Sequence, residues 1–200
     1  MKLKTALLGS FGVAASVVGA SAVEEPPHQV VSRDGDFEIR DYPSMTVAET
    51  TVDADRNSAA YAGFRLLAGY IFGGNAKKQK IDMTAPVIEA RPESMFATQA
   101  PGRGWVIRFV MPPGFSVASL PKPETEGIVL REEPPAHMAV LKFSGLAGDD
   151  AVAAKTAELQ AMLKARNLTP SGSPIIAQYD PPWTLPFLRR NEIMIPVQRR

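Results

Sequence analysis

Hydrophobic and polar residues alternate along several short stretches of this chain, a pattern typical of half-buried β-strands. The predicted strands are Gln29–Ser32, Phe37–Arg40, Met45–Val52, Ile128–Arg131, Met138–Phe143, Pro174–Tyr179 and Glu192–Val197. Asp34-Gly35 separates the first two and predicts a hairpin turn. The strongest strand is Trp105–Met111, which is apolar enough to be buried on most of both faces.

One stretch between the strands follows the helical period instead. Its apolar stripe is formed by Ala60, Phe64, Leu67 and Ile71, with Tyr61 and Ala68 at its sides. Asp55 or Asn57 is placed to cap this helix, and Gly73-Gly74-Asn75 is placed to end it. We expect Leu67 and Ile71 to be core residues, whereas Phe64 is equally compatible with the core and with an exposed site.

A second helix is predicted from about Asp150 to Arg166, with Asp149 or Asp150 at the capping position. Its predicted inner face consists of Val152, Thr156, Leu159 and Leu163. Between the two helices, a basic loop at 77–80 is expected to be solvated. The segment 81–87 then alternates like a strand until Pro86, which cannot donate to a sheet and indicates an edge or a bulge.

Landmarks of the first half recur in the second half at nearly one offset. Arg40 and Arg131 are 91 positions apart, Asn57 and Asp149 are 92 apart, and Ile81 and Ile175 are 94 apart. This spacing favours an internal duplication, with halves at about 37–112 and 128–197. Chance recurrence of common elements is the alternative.

The first 22 residues have the pattern of a secretory signal peptide. Lys2 and Lys4 precede an uncharged, mostly apolar run, and Ala20-Ser21-Ala22 is a small-residue cleavage site. We therefore predict a periplasmic or secreted protein that begins at Val23, with one domain over 23–200 and no stable membrane anchor. A charged, flexible lead-in is expected at Val23–Pro27.

Charge and cysteine content exclude several classes of partner and cofactor. Without Lys2 and Lys4, the chain has one more acidic than basic residue, so no electrostatic argument favours nucleic acid as a partner. The absence of cysteine excludes disulfides, thiolate chemistry and Cys-ligated haem or iron–sulfur clusters. Glu38, Asp41 and Glu192 are single carboxylates at predicted strand ends, and we expect them to be surface charges.

Several motifs, in register, resemble the SOUL family of haem-binding proteins. They include Phe37–Pro43, Gly73-Gly74-Asn75, Lys80–Val87, the strand Trp105–Pro112 and the segment Tyr179–Ile193. The resemblance covers about Gln29 to Val197. It implies an α+β fold: a twisted eight-stranded antiparallel β-barrel of two pseudo-symmetric halves, each with one helix packed on the sheet.

The resemblance also implies reversible, non-covalent binding of haem or a related tetrapyrrole. In relatives the ligand lies against the first helix, and the loop before the last strand covers its other side. The matching positions here are Tyr61, Phe64, Arg65, Ala68, Trp183, Leu185, Phe187 and Arg189. The aromatic residues offer area for a macrocycle, and Arg65, Arg189 or Arg190 can meet its propionates. A solvated role for Arg189 and Arg190 is the alternative.

One departure from the family concerns the iron ligand. Some relatives have a histidine where this chain has Asp41, a poor substitute for imidazole on haem iron. His28 and His137 lie outside the matched positions, so we expect neither to bind iron. Tyr61 can ligate haem as a phenolate, although a packed tyrosine is the more common role. The axial ligand is therefore unknown, and no metal-binding residue is predicted.

Three functions are compatible with these observations. The first is a haem-binding or haem-carrying protein, and the second is a binding domain for another amphipathic small molecule. The third is a tetrapyrrole-modifying enzyme. The chain has no catalytic motif such as His-Glu-x-x-His or Gly-x-Ser-x-Gly, so we predict no enzymatic activity.

Overall fold

The computed structural model describes residues 23–92 and 104–199. The predicted signal peptide at 1–22 lies outside the described residues. Within these described residues, nine strands and two α-helices follow one another, with a short 3₁₀ helix, Pro186–Leu188, before the last strand. Their bounds are β1 Gln29–Asp34, β2 Phe37–Tyr42, β3 Met45–Val52, α1 Arg56–Ile71, β4 Val87–Ala90, β5 Trp105–Val110, β6 Ile128–Glu133, β7 Ala136–Phe143, α2 Asp149–Ala165, β8 Ile175–Gln178 and β9 Asn191–Pro196.

All nine strands join one antiparallel sheet in the order β1-β2-β7-β9-β8-β4-β5-β3-β6. Strands β1 and β6 are its two ends, and no pairing between them is present in the described part of the chain. The α+β class is therefore confirmed, but the eight-stranded closed barrel is not: the sheet has nine strands and is open. The duplication into two pseudo-symmetric halves stays a prediction.

Helix α1 begins and ends where the sequence predicts. The Asp55 side chain caps it by accepting a hydrogen bond of 3.0 Å from the Ser58 N–H. Gly73 follows the C-cap with a φ of +109°, a conformation that favours glycine. Leu67 and Ile71 are buried against the sheet, as expected for core residues.

Glycine allows α1 to lie close to the sheet. A Cβ on Gly63 would lie 2.5 Å from Cγ1 of Ile107 in β5, well inside van der Waals contact. The helix backbone at this point therefore touches the strand directly. Trp105, at the start of β5, packs against the core under α1 and also against the core under α2.

Helix α2 differs from its prediction at the N-terminus. Gly148 is the N-cap, and no side chain caps the helix there. Asp149 and Asp150 instead lie in the first turn, where their charges favour the helix dipole. Of the predicted inner face, Leu159 and Leu163 are fully buried, while Val152 packs at the margin of the same core.

Two other predictions are corrected by the structure. The segment 81–86 is not a strand: it forms one isolated bridge, at Thr84, and β4 begins at Val87, directly after Pro86. The lead-in at Val23–Pro27 is held in place rather than free. The Ala85 N–H donates to the Glu24 carbonyl at 2.9 Å, and Glu25 pairs with Arg190.

Alternate residues of each strand face opposite sides of the sheet. On one side, Ala139 and Leu141 of β7 pack under α2, and Ile107 and Phe109 of β5 pack under α1. On the other side, Met138 and Val140 of β7 join Tyr42 and Met194 in a third cluster that no helix covers. We call this second side the helix-free face. No described helix is long and apolar enough to span a membrane.

Candidate functional site

The outer face of α1 presents several of the residues predicted to bind a ligand. Tyr61 is 68% exposed and Phe64 is 39% exposed. The Phe64 ring makes an edge contact with Phe109 at 5.4 Å between centroids, so it belongs partly to the core and partly to the surface. Ala68 packs on the core beneath the helix and offers little surface to a ligand.

An open hollow lies on this outer face. Tyr61, Ala62, Arg65 and Leu66 line it, and it holds about 640 Å³ of empty space, open solvent included. The Arg65 guanidinium lies 5.8 Å from the centre of the Tyr61 ring. An exposed cation beside an aromatic ring fits a flat ligand that carries acidic groups.

A second exposed surface is the loop that joins β8 to β9, which we call the Trp183 loop (181–188). Its large apolar side chains point into solvent: Trp183 is 82% exposed, Phe187 is 71% exposed and Leu185 is 55% exposed. A group of large apolar side chains exposed in one short loop is typical of a site that binds a ligand or a partner.

Hydrogen bonds hold the Trp183 loop in shape. Arg189 Nε donates to the Thr184 carbonyl at 2.8 Å, and its Nη2 donates to the Pro182 carbonyl. Asp180 accepts from the Arg190 N–H at 2.6 Å, and the Gly145 N–H donates to the Pro186 carbonyl at 2.9 Å. The Arg189 guanidinium thus supports the loop backbone, and Arg190 pairs with Glu25 and Glu192. Arg65 is therefore the most available of the three predicted partners for a propionate.

The outer face of α1 and the Trp183 loop do not contact each other directly. Within residues 23–92 and 104–199, no hydrogen bond, ion pair or ring contact joins Tyr61, Phe64 or Arg65 to the loop. The structure therefore presents both predicted surfaces without a direct contact between them.

The histidines lie away from both surfaces. The His28 ring contacts Tyr42 on the helix-free face, at 5.1 Å between centroids. His137 Nδ1 hydrogen-bonds to Asp41 Oδ1 at 2.5 Å, and Arg199 pairs with the other oxygen at 2.9 Å. The His137 hydrogen bond, with help from Arg199, lowers the pKa of Asp41. The pairing of β2 with β7 brings Asp41 and His137 together, a contact that sequence analysis missed.

Glu38 and Glu192 are buried, so the prediction that they are surface charges is wrong. Arg40 lies between them: its Nε donates to Glu38 at 2.6 Å, and its two terminal nitrogens donate to Glu192 at 2.8 and 2.9 Å. Burial alone would raise the pKa of Glu38, but hydrogen bonds from Lys142 and Arg40 outweigh it and lower the pKa to about 2. Burial would also raise the pKa of Glu192, but the hydrogen bonds and charge of Arg40 outweigh it and lower that pKa.

A second buried charge cluster lies farther along the helix-free face. Arg108 Nε donates to Glu49 at 2.7 Å, and Arg131 Nε lies 3.0 Å from the same carboxylate. Glu133 pairs with Arg131 and lies 3.5 Å from Arg108. Burial raises the pKa of Glu133 despite these two cations. Two arginines and two glutamates thus neutralise one another inside the fold.

The residues present fit haem as a flat apolar molecule but supply no evident iron ligand. Tyr61, Phe64, Trp183 and Phe187 offer aromatic area, and Arg65 offers a cation. Neither histidine lies on these surfaces, and no group of three or more metal-binding side chains occurs among the described residues. Only the Tyr61 phenol, among the matched positions, is a side chain that ligates haem iron in other proteins.

Comparison with solved structures identifies the fold. The C-terminal domain of EcmrR superposes with a TM-score of 0.57 at 13% identity, covering 86% of this chain and 99% of that domain. A hydrolase from Listeria innocua superposes with a TM-score of 0.54 at 13% identity, covering 84% of this chain and 94% of that one. At such low identity, the likeness concerns the fold alone.

Sequence comparison is more specific. Human heme-binding protein 2 is 42% identical to this chain over 79 residues, which are 37% of this chain and 38% of that protein. The match thus spans well under half the length of that relative. The family model described as SOUL heme-binding protein matches residues 23–196, from the lead-in to the last strand. Because that match includes all nine strands and both helices, the chain belongs to the SOUL heme-binding protein family.

Proposed function

We propose that this protein binds haem or a related tetrapyrrole reversibly, with the ligand against the outer face of α1 and the Trp183 loop as a second contact. Membership of a heme-binding family supports haem as the ligand. The observation that carries the proposed site is the exposed aromatic surface of the loop, above all Trp183 at 82% exposure. Such a side chain buries a large apolar area when a flat ligand covers it.

The composition supports binding without a covalent link. The chain has no cysteine, and thioether attachment of haem requires one. Arg65, beside Tyr61, is the proposed partner of one propionate. The proposed role is binding or carrying, because the sequence has no motif of a known catalytic mechanism.

Titration with haemin tests this proposal. A saturable shift of the Soret band, with haem fully recovered by acid–acetone extraction, is the expected result. If the band does not move while other amphipathic molecules raise the melting temperature, the ligand is not haem. Loss of iron with turnover would instead show an enzyme.

We further propose that binding takes place in the periplasm or outside the cell. The basis is the apolar run after Lys2 and Lys4, ending in Ala20-Ser21-Ala22. Intact-mass measurement of protein from the periplasm or medium should give a chain that begins at Val23. Retention of Met1–Ala22 in a membrane fraction would contradict export by cleavage.

A further inference from the structure

The helix-free face contains a cavity that the proposed haem site does not use. The side chains of Met45, Met138 and Met194 line it, together with Tyr42, Ile88 and Tyr179. It holds about 640 Å³ of empty space, open solvent at its mouth included. The cavity lies on the opposite side of the sheet from α1.

The lead-in forms one wall of this cavity. Its residues Glu25 and Pro26, and His28 just after it, are part of the lining. The segment is fixed at two points, by the bond from the Ala85 N–H to the Glu24 carbonyl and by two hydrogen bonds of 2.9 Å from Arg190 to Glu25. The cavity is thus a built part of the fold, closed partly by a segment that comes before the first strand.

The charged groups on the wall already have ion-pair partners, although neither carboxylate oxygen of Glu133 makes a hydrogen bond. Arg108 binds Glu49, Glu133 pairs with Arg131, and Glu25 pairs with Arg190. A charged ligand would have to compete with these ion pairs, whose charges are balanced.

The polar ends of the two tyrosines are engaged in the same way. Tyr179 donates to Glu192 at 2.8 Å, and Tyr42 accepts from Arg40 at 2.9 Å. Apart from the Glu133 carboxylate and the His28 ring, the surface left for a ligand is therefore methionine, aliphatic and aromatic carbon.

We propose that this cavity is a second binding site, distinct from the α1 and Trp183-loop surfaces, for a small uncharged aromatic compound. Three methionines suit such a ligand, because thioether sulfur makes favourable contacts with aromatic rings and the flexible side chain adapts to their shape. An uncharged ring leaves every ion pair on the wall intact.

Methionine methyl groups provide a direct test on the full chain. We would label them with ¹³C and titrate with naphthalene, an uncharged aromatic probe. The methyl signals of Met45, Met138 and Met194 should move with saturation. Those of Met83 and Met111, which pack in the core under α1, and of Met162, which lies in α2 itself, should stay unchanged. Absence of saturation, or equal shifts in both groups, would overturn the proposal.

A variant that fills the cavity provides a second test of the proposal. Ala136 lines the cavity, so Ala136→Phe should place a ring in it and abolish the naphthalene shifts. Ala161→Phe adds the same ring on the exposed side of α2 and should leave the shifts as in the wild type. Trp183→Ala should also leave them unchanged, which excludes the loop as the binding site.

Folded Ala136→Phe protein that still shows the full shifts would contradict the cavity as the site. If Ala136→Phe does not fold, the wild-type contrast between the two groups of methionines decides the question without it. None of these measurements depends on haem, so their outcome is independent of the proposed haem function.

Discussion

Arg40 donates two parallel hydrogen bonds to Glu192, at 2.8 and 2.9 Å, although 152 positions separate these residues in the chain. Arg40 is in β2 and Glu192 is in β9, and β7 lies between these strands. Both side chains are almost fully buried, at 1% and 0% exposure. The pair therefore ties the beginning of the domain to its end across a neighbouring strand.

Removal of the Arg40 cation should be strongly destabilising. Arg40→Ala leaves Glu38 and Glu192 buried without their shared partner, and breaking a buried pair in this way costs about 3–5 kcal/mol. Urea unfolding measures the loss. Arg65→Ala is the matched control, since Arg65 is exposed, and it should change the free energy of unfolding by less than about 0.5 kcal/mol. If Arg40→Ala lowers the free energy of unfolding no more than Arg65→Ala does, then Glu38 and Glu192 find other partners or solvent when Arg40 is removed.

Stability should fall in acid because of the same cluster. The pKa of Glu38 is lowered in the folded protein from 4.5 to about 2. Its stabilising contribution is therefore complete above about pH 4.5 and is lost as the pH falls towards 2. The shift corresponds to about 3 kcal/mol, at 1.36 kcal/mol for each pKa unit. Glu192, whose pKa is also lowered, acts in the same direction.

Urea unfolding at several pH values between 7 and 2.5 tests this dependence. Glu38→Gln should be less stable than the wild type at pH 7, and its free energy of unfolding should depend less on pH below 4.5. Glu133 opposes the trend, because its raised pKa makes the folded state bind a proton more readily than the unfolded chain does. If the free energy of unfolding of Glu38→Gln depends on pH as strongly as that of the wild type, carboxylates other than Glu38 cause the loss of stability in acid.

Two glycines of α1 should respond oppositely to alanine. Gly69→Ala meets no atom within 4 Å, and replacing a helical glycine by alanine is worth about 0.5–1 kcal/mol of stability. Gly63→Ala has the same gain in helix propensity, but its Cβ would collide with Ile107, and overpacking typically costs about 1–3 kcal/mol. Thermal unfolding should give a higher melting temperature for Gly69→Ala and a lower one for Gly63→Ala. Equal effects would mean that α1 can move away from β5.

Haem affinity should depend on exposed aromatic residues rather than on the buried stripe of α1. Phe64→Ala and Trp183→Ala remove aromatic contacts worth about 0.5–1.5 kcal/mol beyond area, so each should weaken haemin binding several-fold. Trp183→Ala should lose almost no stability, since its side chain is exposed. Phe64→Ala should lose some, because its ring contacts Phe109.

Two further variants are controls for this experiment. Leu67→Ala should cost about 2–5 kcal/mol of folding free energy and leave haemin affinity near normal in the folded fraction. Phe72→Ala removes an exposed ring at the end of α1, outside the proposed site, and should leave affinity unchanged. Normal haemin binding by both Phe64→Ala and Trp183→Ala would show that the site lies elsewhere.

Neither histidine should be required for haem binding. His28→Ala and His137→Ala should each change haemin affinity by no more than about threefold, or about 0.7 kcal/mol. Both residues have protein partners away from α1, at Tyr42 and Asp41 respectively. Loss of the Soret shift in either folded variant would identify an iron ligand. In Asp41→His, a six-coordinate spectrum would show that this end of the sheet reaches the iron.

Local features of the sequence predicted much of the fold. The strand around Phe109, the Asp55 cap and the buried Leu67 all follow from neighbouring residues, because periodicity and capping depend on a few positions. The end of α1 at Gly73 has the same origin. The exposed aromatic residues of the Trp183 loop were also identified from the sequence, through their place in the SOUL pattern.

Contacts between distant positions were decided only by the tertiary structure. Glu38 and Glu192 looked like surface charges because nothing near them in the chain shows that Arg40 lies between them in the sheet. Strand register likewise pairs Asp41 with His137, 96 positions away. Closure of the sheet could not be predicted either, since a strand has the same alternation in an open sheet and in a barrel.

Short segments of the sequence therefore encode most of the elements, the family and the exposed aromatic residues. The pairing order of the strands, the buried ion clusters and the cavity beneath the lead-in depend on which segments meet. These contacts between distant segments are set by packing of the whole chain. Only the folded structure shows that Glu25 pairs with Arg190 and that Met45 and Met194 line one cavity.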